Sequence, residues 1–453
     1  MKVAIAGAGY VGISTAAALA YIGHEVTCLD TDESKIDLLR RLKFPIYEPH
    51  LEALASLGRN RLRFTPDYAD IGGAEVVFIA VGTPSLPDGN PDLSHLRASA
   101  TSVGEHLGPG YTVIVNKSTV PIGSGNWVGA LLRDAFEARF KKAANGQFSV
   151  ASNPEFLREG SALLDSLYPD RVVIGSDEPR AIERLRLLYK PILEQTFPAP
   201  NFLPRPVGLG AVPLLTTNLA SAELVKYAAN AFLALKISFI NEIAQLAEKV
   251  GGDIGQISKG IGLDARIGTR FLQAGLGWGG SCFAKDTAAL IATAREYGLT
   301  MPTVEAAREV NRRQRERIVE KLLGELKILK GRTIGLLGLA FKPHTDDLRD
   351  APSLDIASRL IERGARVRAH DPVALERARQ ECASLGITFC DSVEATAADA
   401  DALLLVTEWP QYRELDWEAL AKKMANPLLI DGRNCLEAGV LEKAGFRYLG
   451  MGH

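Results

Sequence analysis

Residues 2–30 read KVAIAGAGYVGISTAAALAYIGHEVTCLD, and this stretch decides the fold. An apolar run enters the turn GAGYVG (7–12), a small-residue helix follows, and a second apolar run ends at Asp30. GxGxxG between a strand and a helix marks a dinucleotide-binding βαβ unit, with the pyrophosphate on the helix N-terminus. Asp30 lies 23 residues beyond Gly7, close to the spacing of about 20 for the carboxylate that binds a ribose 2′-hydroxyl. A carboxylate there repels a 2′-phosphate, so NAD is expected as the cofactor rather than NADP. Lys35, five residues beyond Asp30, either reaches the adenosine ribose or phosphate or is an ordinary surface lysine. The same start, behind Lys2 and ending Ala18-Leu19-Ala20, has the outline of a secretory leader. Glycines at positions 7, 9, 12 and 23 argue for a turn instead.

Working outward, apolar runs at 75–82, 111–119, 148–154 and 171–176 are continuous rather than alternating, which predicts a parallel sheet covered on both faces. The Pro- and Gly-rich stretch 197–217 reads as the exit from this domain. Residues 220–251 predict a long helix, apolar nearly all round, and therefore buried in a central domain or a subunit interface. Residues 303–330 predict a second long helix, crowded with charge, that reads as a connector. The third part echoes the first: TIGLLGLAF (333–341), a helix, and ARVRAHDP (365–372) with Asp371 near its end. The expected fold class is α/β. Two Rossmann-like, doubly wound parallel-sheet domains (1–205 and 326–453) are joined by a central helical domain (206–325) built on a long buried helix.

Composition narrows the function. Among 453 residues, 52 basic and 54 acidic side chains leave a net charge of −2, without the basic field that nucleic acid binding needs. Five cysteines without a CxxC pair fit a reducing cytosol better than a disulfide framework. Scattered histidines give no metal-ligand spacing, and no apolar window approaches a membrane span. The expectation is a cytoplasmic enzyme with no metal, no nucleic acid partner and no membrane contact.

The chemistry concentrates in GLGWGGSCFAKD (275–286). Four glycines make a loop whose backbone can press against a ligand. If a helix starts near Ser281, its dipole and Lys285 both favour the thiolate of Cys282; the alternative is an inert, buried thiol. Cys28, in an apolar strand, reads as core. Lys226 and Asn230 share a face of the long helix, with Asn241 near the same line. A lysine there either snorkels to solvent or serves chemistry. Thr119, Glu155 and Glu159 follow strands at the end where open α/β sheets bind ligands, although the glutamates also suit a helix N-terminus.

GAGYVG, AVGTP (80–84), KSTVP (117–121), NPEFLREGSA (153–162), AELVKYAANAF (222–232), GGSCFAKD (279–286) and GLAFKPHTDDLRDAPS (338–353) occur in order. Together they resemble the UDP-glucose/GDP-mannose dehydrogenase family over essentially the whole chain. NPEFLREGSA, YPDRVVIG (168–175) and the SCF after the glycines look more like the UDP-glucose branch than the GDP-mannose branch. Ala284 stands where bacterial members often have proline, and Trp278 where Tyr or Phe is common. The resemblance implies a four-electron, NAD-dependent oxidation of UDP-glucose to UDP-glucuronate, through a thiohemiacetal and a thioester on Cys282. It implies a cluster of Lys226, Asn230 and Asp286 around the reacting carbon, with Thr119 and Glu155 placing water. For the cofactor it implies Gly7, Gly9, Tyr10, Val11, Gly12, Asp30, Lys35, Thr83, Thr119, Glu159, Lys285 and Arg349. For the nucleotide sugar it implies Glu155, Phe156, Leu157, Arg158 and Glu159; Lys226 and Asn230; Phe271, Leu272, Gln273, Ala274, Gly275 and Gly279; and Phe341, Lys342 and Arg433 from the third domain. Arg266 resembles the arginine that reaches the substrate of a neighbouring subunit, which implies a homodimer or a larger homo-oligomer.

Other activities stay open: another nucleotide sugar, of GDP-mannose or UDP-N-acetylhexosamine type; a single two-electron step, as in hydroxyacid dehydrogenases; or non-catalytic nucleotide binding. A one-step enzyme has no use for a cysteine in a glycine-rich loop, and a binding protein has none for Cys282, Lys226 and Asp286 together.

Overall fold

The computed structural model describes residues 1–86 and 88–453. The chain divides into two compact units, residues 1–229 with 288–297, and residues 230–287 with 298–453. Each contains one sheet.

The first sheet holds β1 (Lys2–Ala6), β2 (Glu25–Leu29), β3 (Leu62–Thr65), β4 (Val76–Ile79), β5 (Thr112–Asn116), β6 (Phe148–Ser152), β7 (Val172–Gly175) and β8 (Leu214–Thr217). Its order is β3-β2-β1-β4-β5-β6-β7-β8. The first six strands run parallel, in a doubly wound order that reverses direction between β1 and β4. β1, β4 and β5 are almost wholly buried, as continuous apolar runs require. Two expectations need correction. β7 pairs antiparallel with β6, and β8 pairs parallel with β7, so the sheet is mixed at this end. A short buried run such as VVIG carries no mark of direction. β8 lies inside the segment taken as the domain exit; as an edge strand with exposed Leu215 and Thr216, it lacks the apolar run that marks an interior strand.

The second sheet holds β9 (Thr333–Leu337), β10 (Arg366–His370), β11 (Thr388–Phe389), β12 (Ala402–Leu405), β13 (Leu428–Asp431) and β14 (Arg447–Leu449). It is parallel throughout, in the order β11-β10-β9-β12-β13-β14. The echo read in the sequence is therefore topological, with β9 standing where β1 stands. Asp371, the counterpart of Asp30, is 1% exposed. Its carboxylate accepts from the backbone N–H groups of Leu339, Ala340, Val373 and Ala374 and from the Trp409 indole. All of its capacity goes to holding the second unit's own turn.

Helices Leu219–Val250 and Ser281–Glu296 each contribute residues to both units. The first is not buried all round. Phe232, Phe239 and Leu246, seven residues apart and hence on one stripe, are 62%, 48% and 59% exposed. Among the described residues, no helix is long and apolar enough to cross a membrane.

Candidate active site

In the first unit the three glycines of GAGYVG have separate reasons. Gly7 takes φ +106°, a conformation only glycine adopts cheaply, and a Cβ on it would lie 2.6 Å from the Ala80 carbonyl oxygen. A Cβ on Gly12 would overlap the Gly7 carbonyl at 1.8 Å, so this glycine serves helix–strand packing. At Gly9, which begins helix Tyr10–Tyr21, a Cβ would meet nothing within 4 Å. That open backbone is where a pyrophosphate can approach. Asp30 accepts from Ala8 N–H (2.9 Å) and Lys35 Nζ (2.9 Å). Lys35 therefore pairs with Asp30, and the carboxylate stays partly exposed at the turn. Thr83 donates to the Thr119 carbonyl (2.8 Å), tying the loops after β4 and β5. The residues present fit a bound NAD.

Beyond β5 and β6 the first unit collects buried charge. Lys226 Nζ lies 2.8 Å from Glu155 Oε1, with side chains 6% and 8% exposed. Burial raises the Glu155 pKa, but the Lys226 charge and bond, the Leu157 N–H and Lys117 override it, holding the carboxyl below its usual range. The snorkelling reading of Lys226 is thereby excluded. Lys117 is also buried, bonded to Asn153 Oδ1 at 3.0 Å, and burial pushes its pKa down to about 8 against the attraction of Glu155. Glu223 accepts from Gly123 and Gly125 N–H (2.6 and 2.9 Å), and burial lifts its carboxyl to about 7. Lys117, Thr119, Glu223 and Lys226 line one small cavity.

Elsewhere on this loop, Phe156 stacks under the Arg171 guanidinium, Leu157 and Glu159 are half-buried, and exposed Arg158 is tied to Asp165. Tyr10 donates to buried Glu48, whose carboxylate also accepts from Gly160 N–H at 2.7 Å, binding the cofactor turn to this loop. Glu48, Lys117 and Glu223 went unread in the sequence. Glu223 and Lys117 adjoin motifs already noticed, whereas Glu48 carries no local signal.

In the second unit the helix Ser281–Glu296 begins where expected, with Cys282 in its first turn and exposed. The other cysteines are unsuited to act as thiolates. Burial pushes Cys28 and Cys435 up to about 12 and raises Cys382, and Cys390 is buried. Lys285 Nζ sits 2.5 Å from Asp286, so its charge is shared with that carboxylate. Asn230 donates to Asp286 Oδ2 at 2.6 Å. Asn241 belongs instead to the loop, accepting from Gly275 N–H at 2.8 Å.

Each glycine of 275–280 stands where a Cβ would meet protein, so packing alone requires glycine there. A Cβ on Gly275 would lie 2.5 Å from the Gly432 carbonyl, on Gly277 2.2 Å from Asn311 Oδ1, on Gly279 2.6 Å from the Asp350 carbonyl, and on Gly280 2.8 Å from the Phe341 ring. Leu272, Ala274 and Trp278 are buried, and Trp278 Nε1 donates to Ser238. Phe271 is half-buried at φ +64°, and Gln273 is exposed. Arg433 donates to the carbonyls of Val406, Gly277 and Phe341. Lys342 lies over the Phe341 ring. Arg349 pairs with Asp347, and Arg266 pairs with Asp264 while 89% exposed.

Residues 1–193, 220–313 and 335–438 match, in turn, the NAD binding, central and UDP binding domains of the UDP-glucose/GDP-mannose dehydrogenase family. The UDP-glucose 6-dehydrogenase of Pseudomonas aeruginosa is 46% identical over 461 residues, covering 100% of this chain and 97% of that protein. UDP-glucose 6-dehydrogenase TuaD of Bacillus subtilis is 44% identical, covering 100% and 93%. A UDP-glucose dehydrogenase structure from Pyrobaculum islandicum superposes with a TM-score of 0.88 at 38% identity, covering 100% and 97%. The chain belongs to the UDP-glucose/GDP-mannose dehydrogenase family, as an NAD-dependent oxidoreductase.

Proposed function

We propose that the chain oxidises UDP-glucose to UDP-glucuronate, with Cys282 carrying the carbon between the two oxidations. The observation that carries the substrate is the 46% and 44% identity, over the full length, to proteins named UDP-glucose 6-dehydrogenase. The chemistry balances as one alcohol, two NAD and one water giving one carboxylate, two NADH and three protons. NAD, held by the GAGYVG turn and Asp30, supplies the hydride acceptor for both oxidations.

The chain's residues divide the remaining work. As the first hydride leaves C6, the hydroxyl proton passes to a neighbouring base, and the Cys282 thiolate adds to the aldehyde carbon. The tethered hydroxyl gives up its proton in the second oxidation, leaving a thioester. Lys226 and Asn230 donate to the developing oxyanion. Glu155, with Thr119, takes a proton from the water that attacks the thioester, and the C–S bond breaks to return the Cys282 thiolate. The segments 155–159 and 271–275, with Gly279, Phe341, Lys342 and Arg433, hold the nucleotide sugar. Glu159, Lys285 and Arg349 complete the cofactor contacts.

Purified protein with NAD and UDP-glucose should raise the absorbance at 340 nm with a kcat/KM at least tenfold above that for GDP-mannose or UDP-N-acetylmannosamine. A higher value with either alternative would overturn the substrate and leave the reaction class standing.

We also infer self-association through the stripe of Phe232, Phe239 and Leu246, since large apolar side chains exposed along one helix face ask for a second such face. Sedimentation should give a dimer or a multiple of it, shifted toward monomer by Phe239→Asp. A fully active wild-type monomer would end this inference.

A further inference from the structure

The helix Pro302–Leu326, read from sequence as a charged connector, turns a buried polar face inward. Asn311, Gln314 and Arg315 are 3%, 0% and 8% exposed. Asn311 grips one residue by both of its backbone groups: Trp278 N–H donates to Asn311 Oδ1 at 2.7 Å, and Asn311 Nδ2 donates to the Trp278 carbonyl at 2.9 Å. Arg315 adds a bond to the same carbonyl at 3.2 Å and is itself fixed by Asp350 at 2.9 Å. Gln314 donates to the Gly275 carbonyl at 2.7 Å. One turn earlier, Arg308 Nη1 donates to the Ala284 carbonyl (2.7 Å) and to Thr287 Oγ1 (2.6 Å). Residues 308, 311 and 315 fall at i, i+3 and i+7, a single helix face.

We propose that Asn311 and Arg308 are positioning residues for Cys282, fixing the chain at Trp278 before it and at Ala284 after it. Only five residues separate these two points, and Cys282 is one of them. The glycines agree with this: at φ +90° Gly277 leaves Asn311 Oδ1 the space a Cβ would occupy. A side chain that satisfies both groups of one peptide residue acts as a piece of β-ladder, and buried backbone groups deprived of it must find other partners. With Trp278 released, the helix start at Ser281 and the thiol beside it lose their fixed place. Misplacement by about 1 Å costs about 10²-fold in a reaction that needs near-attack geometry.

The proposal rests on Cys282 being the nucleophile, and its test separates the two. Asn311→Ala should lower uronate formation about 10²-fold while the KM for NAD stays within about twofold. The specific signature is leakage: an aldehyde not captured by the thiol leaves, so semicarbazide should trap a nucleotide-sugar aldehyde from Asn311→Ala and none from wild type. A change of packing alone lowers the melting temperature without altering this partition. Independently of turnover, iodoacetamide should alkylate the Cys282 peptide at least about fivefold more slowly in the variant, as the thiol leaves the helix N-terminus. Should Asn311→Ala fail to fold, Arg308→Met carries the same expectations. Wild-type uronate and alkylation rates in a folded variant, or a rate loss without trapped aldehyde, would overturn the positioning role. Wild-type protein that makes no NADH from UDP-glucose would instead overturn the substrate reading, leaving the alkylation result to decide the positioning role.

Discussion

Replacing Cys282 by alanine is expected to abolish uronate formation, by roughly 10⁴-fold or more, while leaving the fold in place. The size follows from the role: removing a covalent nucleophile takes away the route, and residual turnover falls to what binding and electrostatics alone provide. Cys282 is exposed in the first turn of its helix and is not disulfide-bonded, so its loss opens no cavity. Stability should change by no more than about 0.5 kcal/mol, the ordinary range for surface positions. NAD binding should be nearly unchanged, since the residues proposed to hold the cofactor, from the GAGYVG turn and Asp30 to Lys285 and Arg349, all remain. The measurements are NADH at 340 nm, product by mass spectrometry, and thermal unfolding with and without NAD. One NADH per sugar with accumulating aldehyde would agree with the role. Uronate formed at the wild-type rate by a folded variant would show that another group carries the carbon.

How much of this was legible in the sequence depended on whether the residues advertise their physics. The cofactor turn did, because Gly7, Gly9, Gly12 and Asp30 are needed at fixed spacings by the backbone itself. The Glu155–Lys226 pair was half legible. A lysine in an apolar helix was conspicuous, but its partner comes from 71 residues away, and no local pattern announces that pairing. The inward face of the 302–326 helix stayed hidden for the opposite reason. Arg308, Asn311, Gln314 and Arg315 resemble a solvated surface by composition, and only their partners in distant segments, at 275–278, 284–287 and 350, explain why they turn inward. The glycines of the 275–280 loop have a packing reason that no local pattern announces, because Gly432, Asn311, Asp350 and Phe341 crowd it. β8 was missed because an edge strand needs no apolar run, and the direction of β7 because a buried run reads alike both ways.

Replacing Glu155 by glutamine is expected to separate the two halves of the reaction. In the native protein the carboxylate holds Lys226 at 2.8 Å and accepts from Leu157 N–H at 2.6 Å. Its pKa is held below the ordinary carboxyl range, so at neutral pH it is an ion able to accept a proton from water. Glutamine preserves the shape but keeps one acceptor oxygen where the carboxylate offers two, to Lys226 and to Leu157 N–H, and it cannot accept that proton; a general base is worth about 10²–10⁴-fold. The hydride transfers and the attack by Cys282 do not draw on it in the same way. The expected trace is therefore a burst of two NADH per site followed by a steady state slower by about 10²-fold or more. Intact-mass and peptide spectra of the stalled protein should find UDP-glucuronyl joined to the Cys282 peptide. There is a cost to the fold, because the buried Lys226 ammonium loses its counter-charge. Breaking a buried pair by removing one partner costs about 3–5 kcal/mol, so unfolding must be measured beside the kinetics. Glu155→Gln protein that is folded at the assay temperature yet shows no burst, with hydride transfer slowed as much as turnover, would remove Glu155 from the hydrolytic step. Its pair with Lys226 would then serve to orient the lysine. An adduct found on any residue other than Cys282 would instead move the tether.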